Sequence, residues 1–485
     1  MNNHQDAATP HHLRDGRWAA LGVLCLGVLM IVLDTTIVNV ALPSIREDLH
    51  FTESSLAWVV NAYLLTFGGF LLLGGRLGDL FGHRRLFLIG IAVFTLASLA
   101  CGLAHTQAFL VAARGLQGLG GAVVTAVALS LIMNLFTEDA DRAKAMGVYS
   151  FVCAGGGSVG VLLGGLLTTL SWHWIFLVNI PIGAAVIALS LKLLPAARGP
   201  ATGKHLDVSG AVTVTTSLIL AVYAIVNGNE VGWTSTQTLG MLGAAVALLV
   251  AFLVIESRVK APLMPLGMFR LRNVSTANVV GVLWAAAMFA WFFLSALYMQ
   301  LVLKYTPMQV GLAFLPANLI MAGLSLGVSA KIVMRFGIRI PLAGGLALAA
   351  IGLALFARAP VDGNFWIDIL PGMLLLGFGA GVALNPVLLA AMSDVAPSEA
   401  GLASGLVNTA FMMGGALGLA ILASLAASST ASQAASGVDA LFALNAGYHR
   451  AFLLGAIFAA TAAVIGGLMI RTKGVAPGEA AGAMH

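Results

Sequence analysis

The feature that most constrains this chain is a series of long apolar runs that recur along its whole length. Each run is close to the roughly 20 residues that an α-helix needs to cross the hydrocarbon core of a bilayer. Only 9% of the 485 residues are charged, whereas an average soluble protein has about 25%. So little charge cannot cover a water-exposed surface. The runs therefore predict an all-α integral membrane protein.

Fourteen runs are predicted to span the membrane. When the N-terminus is placed in the cytoplasm, all but five of the 24 Lys and Arg residues fall on the cytoplasmic side. The five exceptions are Arg46, Lys304, Arg358 and Arg450 in predicted outer loops, and Arg114 inside a run. Basic residues concentrate in cytoplasmic loops of membrane proteins, so both termini are predicted to be cytoplasmic, and the net charge of +5 gives no reason to expect nucleic-acid binding. The predicted runs are 18–42, 57–75, 86–104, 108–135, 145–170, 174–194, 207–227, 237–255, 274–301, 309–331, 338–358, 366–392, 401–427 and 450–470.

Two predicted cytoplasmic loops resemble each other. GGRLGDLFGHRR (74–85) follows the second run and SAKIVMRFGIR (329–339) follows the tenth, and each contains a small residue, then Phe-Gly, then a basic residue. This repeat predicts two six-helix halves of parallel topology with two helices inserted between them. The predicted segments are a cytoplasmic N-tail (1–17), the N-terminal half (18–194), a linker with the two inserted helices (195–273), the C-terminal half (274–470) and a cytoplasmic tail (471–485).

Two charged residues lie well inside runs, Asp34 in the first and Arg114 in the fourth. Because burying a charge in a bilayer costs about 2.5 kcal/mol or more, both are candidates for function. The helical rise places them at similar depth in the outer half of the membrane, where we expect them to pair directly or through water. A carboxyl that alternates between an apolar environment and an arginine can bind and release a proton. Asp34 is therefore a candidate proton carrier that Arg114 tunes; the alternative is a fixed ion pair that cross-links two helices.

Uncharged polar and aromatic residues within the runs form a second group of candidates. Together with Asp34 they are predicted to line a substrate cavity, in which aromatic rings would stack on a flat or cationic ligand. The same side chains also serve as hydrogen-bonding or packing contacts between helices, and the sequence leaves both alternatives open. These residues are Asn39, Gln117, Trp291, Tyr298, Gln300, Asn318 and Asn408.

Signals for other chemistry are few. The cysteines Cys25, Cys101 and Cys153 lie in apolar runs without CxxC spacing, which is typical of small buried side chains. The histidines lie in tails, loops and run ends, so no metal site within the membrane is expected. The sequence has no GxxxxGK[ST] loop to indicate ATP hydrolysis, and no set of catalytic groups near one interface indicates an enzyme. We therefore expect no cofactor and no metal.

Several stretches are specific enough to resemble a known family. They are LDTTIVNVALP (33–43), GRLGDLFGHRR (75–85), RGLQGLGGA (114–122), WHWIFLVNIPIG (172–183) and ESRVKAPLMPLGMFR (256–270). With these motifs the chain resembles, over residues 15–470, the fourteen-helix drug:proton antiporter branch of the major facilitator superfamily. The resemblance implies the fold of that superfamily and a proton-coupling role for Asp34 and Arg114.

The loop motif at 75–85 has a physical interpretation of its own. Its glycines allow a tight turn and close helix approach, while Asp79 can meet a helix N-terminus or a basic residue such as Arg142. Such a cluster would latch the cytoplasmic helix ends in the outward-facing state; the alternative is a solvated turn that carries only a topology signal. The motif residues are Gly75, Asp79, Gly82, Arg84 and Arg85, with Arg142 as their partner.

The glycine-rich stretch GGGSVGVLLGG (155–165) resembles a further motif of the family's antiporters, except that Val161 stands where the family has proline. Glycines spaced four residues apart form one helix face that permits close packing against another helix. We expect that neighbour to be the tenth run, and we expect a smaller kink without the proline. The motif glycines are Gly156, Gly160, Gly164 and Gly165.

These observations predict a proton-coupled exporter of lipophilic drugs, cationic or amphipathic, that works by alternating access. Its predicted partners are small-molecule drugs, protons and the lipid bilayer, with no nucleic acid, and the default state is a monomer in the cell (inner) membrane. One alternative is an exporter of an endogenous metabolite that works with a periplasmic adaptor. A second is a membrane sensor on the same fold that transports nothing.

Overall fold

The computed structural model describes residues 11–194, 207–259, 262–395 and 399–471, and these residues form helices without any β-strand. Thirteen of the helices are long and apolar enough to cross a membrane, and α10 is a shorter apolar helix. The helices are α1 (His11–Leu49), α2 (Trp58–Phe81), α3 (His83–Gly102), α4 (Gln107–Leu135), α5 (Asp139–Leu170), α6 (Trp174–Leu193), α7 (Val208–Val231), α8 (Thr236–Arg258), α9 (Arg272–Val302), α10 (Pro307–Gly323), α11 (Arg339–Phe356), α12 (Phe365–Met392), α13 (Ala400–Ala435) and α14 (Ala440–Met469).

The helices agree in number and order with the predicted runs, and the largest difference is at the last one. The helix α14 begins at Ala440, ten residues before the predicted start, so Arg450 lies on this helix and not in a loop. Likewise α1 extends to Leu49 and carries Arg46 in its last turn. Hydropathy marks only the part of a helix that lies in hydrocarbon, whereas the backbone hydrogen bonds continue into the polar headgroup region.

We call the face at which α1 begins the proximal face and the face at which α1 ends the distal face. Short connections join most consecutive helices, which therefore alternate in direction between these two faces. Part of the predicted N-tail, the linker at 195–206 and all of the predicted C-terminal tail except Arg471 lie outside the described residues.

The first six and the last six helices repeat one packing pattern. In the first set α1 packs against α5 and α6, and α4 packs against α2 and α3; in the last set α9 packs against α13 and α14, and α12 packs against α10 and α11. The two sets meet through α5 with α10, through α2 with α13 and through α1 with α9. We call this interface between the two sets the seam. Its helix pairs have the approximate two-fold symmetry that a sequence repeat would produce.

The two similar loops occupy equivalent positions in this repeat. Gly82 ends α2 with φ +91°, and Gly337 follows the proximal extension of α10 (Ser329–Phe336) with φ +72°. A residue with a Cβ rarely adopts such angles, so glycine permits the sharp turn into the next helix. The shared Phe-Gly therefore has a conformational cause in both loops.

The pair α7 and α8, here called the hairpin, packs beside the seam between the two sets. α7 contacts both α2 and α13, whereas α8 contacts chiefly α7 and exposes most of its apolar residues. Asn229 on α7 donates to the Ser424 carbonyl oxygen at 2.7 Å and to the Ser424 hydroxyl at 2.9 Å. The hairpin is therefore fixed to one helix from each set.

The two sets are in close contact near the distal face. A Cβ added at Gly311 of α10 would lie 2.6 Å from the carbonyl oxygen of Val161 on α5, and one at Gly165 would lie 2.9 Å from the Cα of Met308. Gln300 on α9 donates to the carbonyl oxygen of Val40 on α1 at 2.8 Å. Backbone contact at this separation closes the distal side of the seam around α5 and α10.

Candidate functional site

The centre of the candidate site is a buried ion pair between Asp34 and Arg114. Arg114 Nη1 donates to Asp34 Oδ2 at 2.5 Å, and the side chains of Arg114 and Asp34 are 1% and 0% exposed respectively. Asp34 lies on α1 and Arg114 on α4. Their similar predicted depth leads us to expect that they pair directly or through water, and the structure shows that they pair directly.

Three uncharged residues complete the surroundings of the Asp34 carboxylate. Gln117, one turn after Arg114 on α4, donates to Asp34 Oδ1 at 2.7 Å and accepts from Arg114 Nη1 at 2.6 Å. Asn179 on α6 also donates to Asp34 Oδ1, at 3.3 Å. The hydroxyl of Ser98 on α3 accepts from both amides, at 3.1 and 3.0 Å, and donates to the carbonyl oxygen of Phe176. Four helices thus converge on one carboxylate.

Arg114 has several contacts that do not involve Asp34. Its Nε donates to the carbonyl oxygen of Val59 at 2.9 Å, and its guanidinium lies 4.5 Å from the ring centroid of Tyr63 and 5.7 Å from that of Phe176. A cation is stabilised by the faces of aromatic rings, most strongly when both are desolvated. These contacts can hold the guanidinium in place when Asp34 loses its charge.

This arrangement can exist in two charge states. With Asp34 ionised, the pair is neutral, and donors from Arg114, Gln117 and Asn179 stabilise the carboxylate. With Asp34 protonated, the site carries the single positive charge of Arg114. The net charge of the site thus changes by one unit while Arg114 stays positively charged. Such a site is chemically suited to binding and releasing one proton.

The structure distributes the predicted cavity residues over several places. Gln117 lies in the ion-pair network, and Gln300 bonds across the seam. Asn39 and Asn408 bond to carbonyl oxygens one turn earlier on their own helices. The hydroxyl of Tyr298 donates to the carbonyl oxygen of Pro360 at 2.6 Å, which places it in the packing of the distal loop between α11 and α12.

Trp291 and Asn318 are the two predicted cavity residues that lack a hydrogen-bond partner. The Nε1 of Trp291 and the Nδ2 of Asn318 are buried donors without an acceptor. Trp291 lies 6.0 Å from Phe314, which is one helical turn from Asn318 on α10. An unpartnered buried donor is costly unless something else accepts from it. Both rings and Asn318 are fully buried where α9 meets α10, and two donors there have no acceptor.

The structure describes most side chains of the loop motif at 75–85, but not that of Asp79. Arg84 donates to the carbonyl oxygen of Leu191 on α6 at 2.6 Å, and Arg85 is exposed. Arg142 donates to the carbonyl oxygens of Phe136 and Thr137 at the end of α4, each at 3.0 Å. The side chain of Asp79 lies outside the part of the chain that the structure describes, so the expected contact of Asp79 with Arg142 stays a prediction.

The glycine face of α5 packs closely, but not against the predicted neighbour. Gly156, Gly160 and Gly164 face α1; a Cβ at Gly160 would lie 2.0 Å from Thr36 Oγ1, and one at Gly164 would lie 2.8 Å from the Ile37 carbonyl oxygen. The prediction of α10 as their partner is therefore wrong. Gly165 and Val161 occupy the next face of the helix and do contact α10.

Sequence reasoning missed four contributors to the site, namely Tyr63, Ser98, Phe176 and Asn179. Asn179 carried the clearest signal, as an amide side chain in the first half of the sixth run and within the motif at 172–183. Serine, tyrosine and phenylalanine are common in membrane helices, so only the three-dimensional contacts identify the other three. Cys101 Sγ lies 3.6 Å from Gln117 Oε1, and all three cysteines are free. Cys25 and Cys101 are buried as predicted, and Cys153 is partly exposed.

Comparison with known sequences identifies one family and several relatives of this chain. The family pattern described as Major Facilitator Superfamily matches residues 24–419. The chain is 41% identical over 418 residues to the puromycin resistance protein pur8 of Streptomyces alboniger, covering 86% of this chain and 83% of that protein. It is 40% identical over 450 residues to the cephamycin export protein CmcT of Amycolatopsis lactamdurans, covering 92% of this chain and 91% of that protein.

Solved structures show the same fold at low sequence identity. The nucleoside transporter NupG matches with a TM-score of 0.65 at 12% identity, over 93% of this chain and all of that one. A peptide transporter of the POT family matches with a TM-score of 0.66 at 17% identity, over 94% of this chain and 96% of that one.

Proposed function

The chain belongs to the major facilitator superfamily, and from that premise we propose that it is a proton-coupled antiporter that exports drugs by alternating access. In this proposal the proximal face is cytoplasmic and the protein lies in the cell (inner) membrane of a bacterium. The distribution of Lys and Arg supports this orientation. The names of the two relatives, a resistance protein and an export protein, support outward transport of antibiotics.

The observation that carries the proposal is the buried Asp34–Arg114 pair with its network of uncharged donors. An ion pair inside a bilayer is expensive, and a packed apolar core would stabilise a membrane protein without it. The site is enclosed by four helices of the first set, and α1 is also one of the helices at the seam. Because Asp34 lies on α1, a change in its charge would alter the contacts between the two sets.

We infer the following sequence of steps. A proton from the outside binds Asp34, removes its charge and releases its hold on Arg114 and on a cationic substrate. The two sets then rock about the seam, the proton leaves to the cytoplasm, and a new drug molecule binds. A membrane potential of 100 mV contributes about 2.3 kcal/mol for each charge that moves inward.

The proposed substrates are lipophilic molecules that are neutral or carry one positive charge. Within the described part of the chain, Asp34 is the acidic group that we assign to the cavity, and it is shared with the proton. The rings of Trp291 and Phe314 and the unpartnered donors of Trp291 and Asn318 are buried in this structure. Once the helices around them move apart, they would bind the apolar body of the drug and its acceptor atoms.

The test is drug export into inverted membrane vesicles with an imposed pH gradient. Asp34→Asn keeps the size of the side chain and removes its proton chemistry, so we expect gradient-driven export to be lost. Asp362→Asn is the matched control, because Asp362 is exposed in the distal loop between α11 and α12. Full export by Asp34→Asn would show that another group carries the proton.

A second candidate function is export of an endogenous metabolite, with a periplasmic adaptor as a partner in a Gram-negative cell. The name of one relative, a cephamycin export protein, specifies a single exported compound, and such narrow specificity favours this candidate. Comparing a panel of unrelated lipophilic cations with extracts of the producing cell separates the two, since a metabolite exporter would reject the panel.

A further inference from the structure

Two buried carboxyl groups that the proposed mechanism does not use lie at the proximal end of the hairpin. Asp207 immediately precedes α7, and Glu256 lies in the last turn of α8; they are 1% and 3% exposed. Carboxylates are rarely buried to this extent without a partner. Their placement therefore requires an explanation.

Each carboxyl has one satisfied oxygen and one bare oxygen. Asp207 Oδ1 accepts from the Gly210 amide at 2.7 Å and from the Ser209 hydroxyl at 2.8 Å, which caps the start of α7. Glu256 Oε2 accepts from the Met264 amide at 3.0 Å. Asp207 Oδ2 and Glu256 Oε1 are both buried without any partner.

The two bare oxygens face each other across Gly210. A Cβ at Gly210 would lie 2.5 Å from Asp207 Oδ2 and 2.7 Å from Glu256 Oε1, so the two oxygens approach the same point and are close neighbours. Carboxyl oxygens can form a hydrogen bond with each other only if one of them carries a proton. If both groups were ionised, two negative charges would repel each other in a buried place.

We propose that Asp207 and Glu256 hold one proton between them and so form a second proton-binding site, separate from Asp34. The proton is covalently bound to one carboxyl and donates a hydrogen bond to the other, so the pair carries one negative charge. It enters from water at the proximal face. This assignment does not depend on the direction of transport or on the substrate.

The shared proton also stabilises a connection from the hairpin to α2. Met264, which donates to Glu256, follows Leu263, and Leu263 packs against Leu73 of α2. Arg76, on the same helix, donates to the carbonyl oxygen of Pro262. Loss of the proton would place a second negative charge at Glu256 and displace this segment. The hairpin would therefore respond to pH at the proximal face.

Among the residues that the structure describes, no basic side chain forms an ion pair with Asp207 or Glu256; Lys204, His205 and Lys260 lie outside those residues. Arg76 on α2 bonds to the backbone at Pro262, and Arg258 on α8 and Arg270 after the hairpin are exposed. With two bare oxygens this close, a shared proton removes the repulsion between the carboxyl groups without any other partner from the described residues.

The first test is the infrared spectrum of the full chain in lipid nanodiscs as a function of pH. In an Asp34→Asn background, which removes the other carboxyl that we propose to bind a proton, we expect a carbonyl band of a protonated carboxylic acid that disappears as the pH rises, and that is absent once either Glu256→Gln or Asp207→Asn is added. Glu399→Gln is the control, since Glu399 is exposed. In that background, a band that persists with both added variants, or no such band before they are added, would overturn the proposal.

The second test is thermal unfolding of the same samples. Raising the pH should lower the unfolding temperature of the wild type over the range in which the band disappears. The side-chain amide that Glu256→Gln introduces donates to Asp207 without a titrating proton, so this dependence should be lost. An unfolding temperature that instead rises with added Na⁺ or Mg²⁺, at constant ionic strength, would identify a bound cation and contradict the shared proton.

Discussion

At the scale of single residues, the central question is whether the Asp34–Arg114 pair only holds helices together or also carries a proton. A buried pair contributes little net stability compared with apolar side chains of similar volume, whereas removal of one partner leaves a buried, uncompensated charge. The pair therefore has different consequences for stability and for transport. Variants of one or both residues can separate the two roles.

We expect Arg114→Met alone to lower the free energy of unfolding by about 3–5 kcal/mol, because the Asp34 carboxylate is left buried without its cation. The double variant Asp34→Leu/Arg114→Met should regain most of this loss and still fail to export. Unfolding temperatures and vesicle export, measured on the same preparations, check both statements. Export by the double variant would reduce the pair to a structural cross-link.

The network residue Gln117 gives a second residue-level prediction. Gln117→Leu removes the 2.7 Å donor to Asp34 Oδ1 and the acceptor for Arg114. Because a hydrogen bond to a charged group contributes about 1.5–3 kcal/mol, the ionised form of Asp34 is destabilised. The pH at which export is half-maximal should therefore move to the alkaline side. An unchanged pH profile, with export otherwise intact, would contradict the role of Gln117 in proton coupling.

The two charged members of the site could be predicted from the sequence, and most of their partners could not. A charge in an apolar run is rare enough to identify Asp34 and Arg114 without a structure. Asn179 of α6 donates to the same carboxylate, and Ser98 of α3 accepts from the amides of Asn179 and Gln117 that do so. Only the packing of four helices brings them there, and no sequence spacing encodes it.

At the scale of elements, the close contact of α5 with α1 connects the glycine motif to the proton site. The glycine face was predictable from the four-residue spacing, but its partner was not, because any neighbouring helix can use a small-residue face. In the structure this face holds the segment of α1 around Thr36 and Ile37, just after Asp34. The motif therefore fixes the position of the helix that carries the carboxylate.

We expect Gly164→Ala to impair both stability and export. The added Cβ would lie 2.8 Å from the carbonyl oxygen of Ile37, and backbone cannot move aside as a flexible side chain can. Overpacking of this kind costs about 1–3 kcal/mol. Gly157→Ala is the matched control, since its Cβ would make an ordinary contact of 3.7 Å with Thr36. Equal behaviour of the two variants in unfolding and export assays would contradict this account of α5.

The distal connection between α5 and α6 gives a pH-dependent prediction. His173 stacks on Trp172 with ring centroids 3.8 Å apart, and burial lowers its pKa; His105 acts in the same direction, and Asp48 opposes it. The folded state therefore resists protonation of His173 more than the unfolded state does. Stability should fall as the pH drops below the ordinary range of histidine.

The measurement is the unfolding temperature between neutral and mildly acidic pH. His173→Gln cannot be protonated, so this variant should lose less stability on acidification than the wild type. The same decrease in both proteins would show that other groups cause the acid sensitivity.

At the scale of the whole molecule, alternating access requires that the contacts between the two sets of helices can break. Those at the distal face include the close approach of α5 to α10 and the hydrogen bond from Gln300 to the carbonyl oxygen of Val40. The hairpin adds contacts to α2 and α13, one from each set. It is therefore placed to follow or restrain the movement of the sets.

The architecture could be predicted further than the site. The apolar runs and the repeated loops predicted fourteen helices in a repeat, and the structure shows that repeat in its contacts. The position of the hairpin was not predictable, because the apolar faces of α7 and α8 suit lipid and protein equally well. The hydrogen bonds that Asn229 of the hairpin donates to Ser424 can be identified only in the folded chain.

The most direct measurement of the central claim uses purified protein in liposomes containing a pH-sensitive dye. Addition of a transported drug on one side should move protons in the opposite direction in the wild type, and an imposed pH gradient alone should drive drug movement. Asp34→Asn should abolish both movements, while Asp362→Asn retains them. Drug transport that continues unchanged after the pH gradient and the membrane potential are both collapsed would contradict proton-coupled antiport.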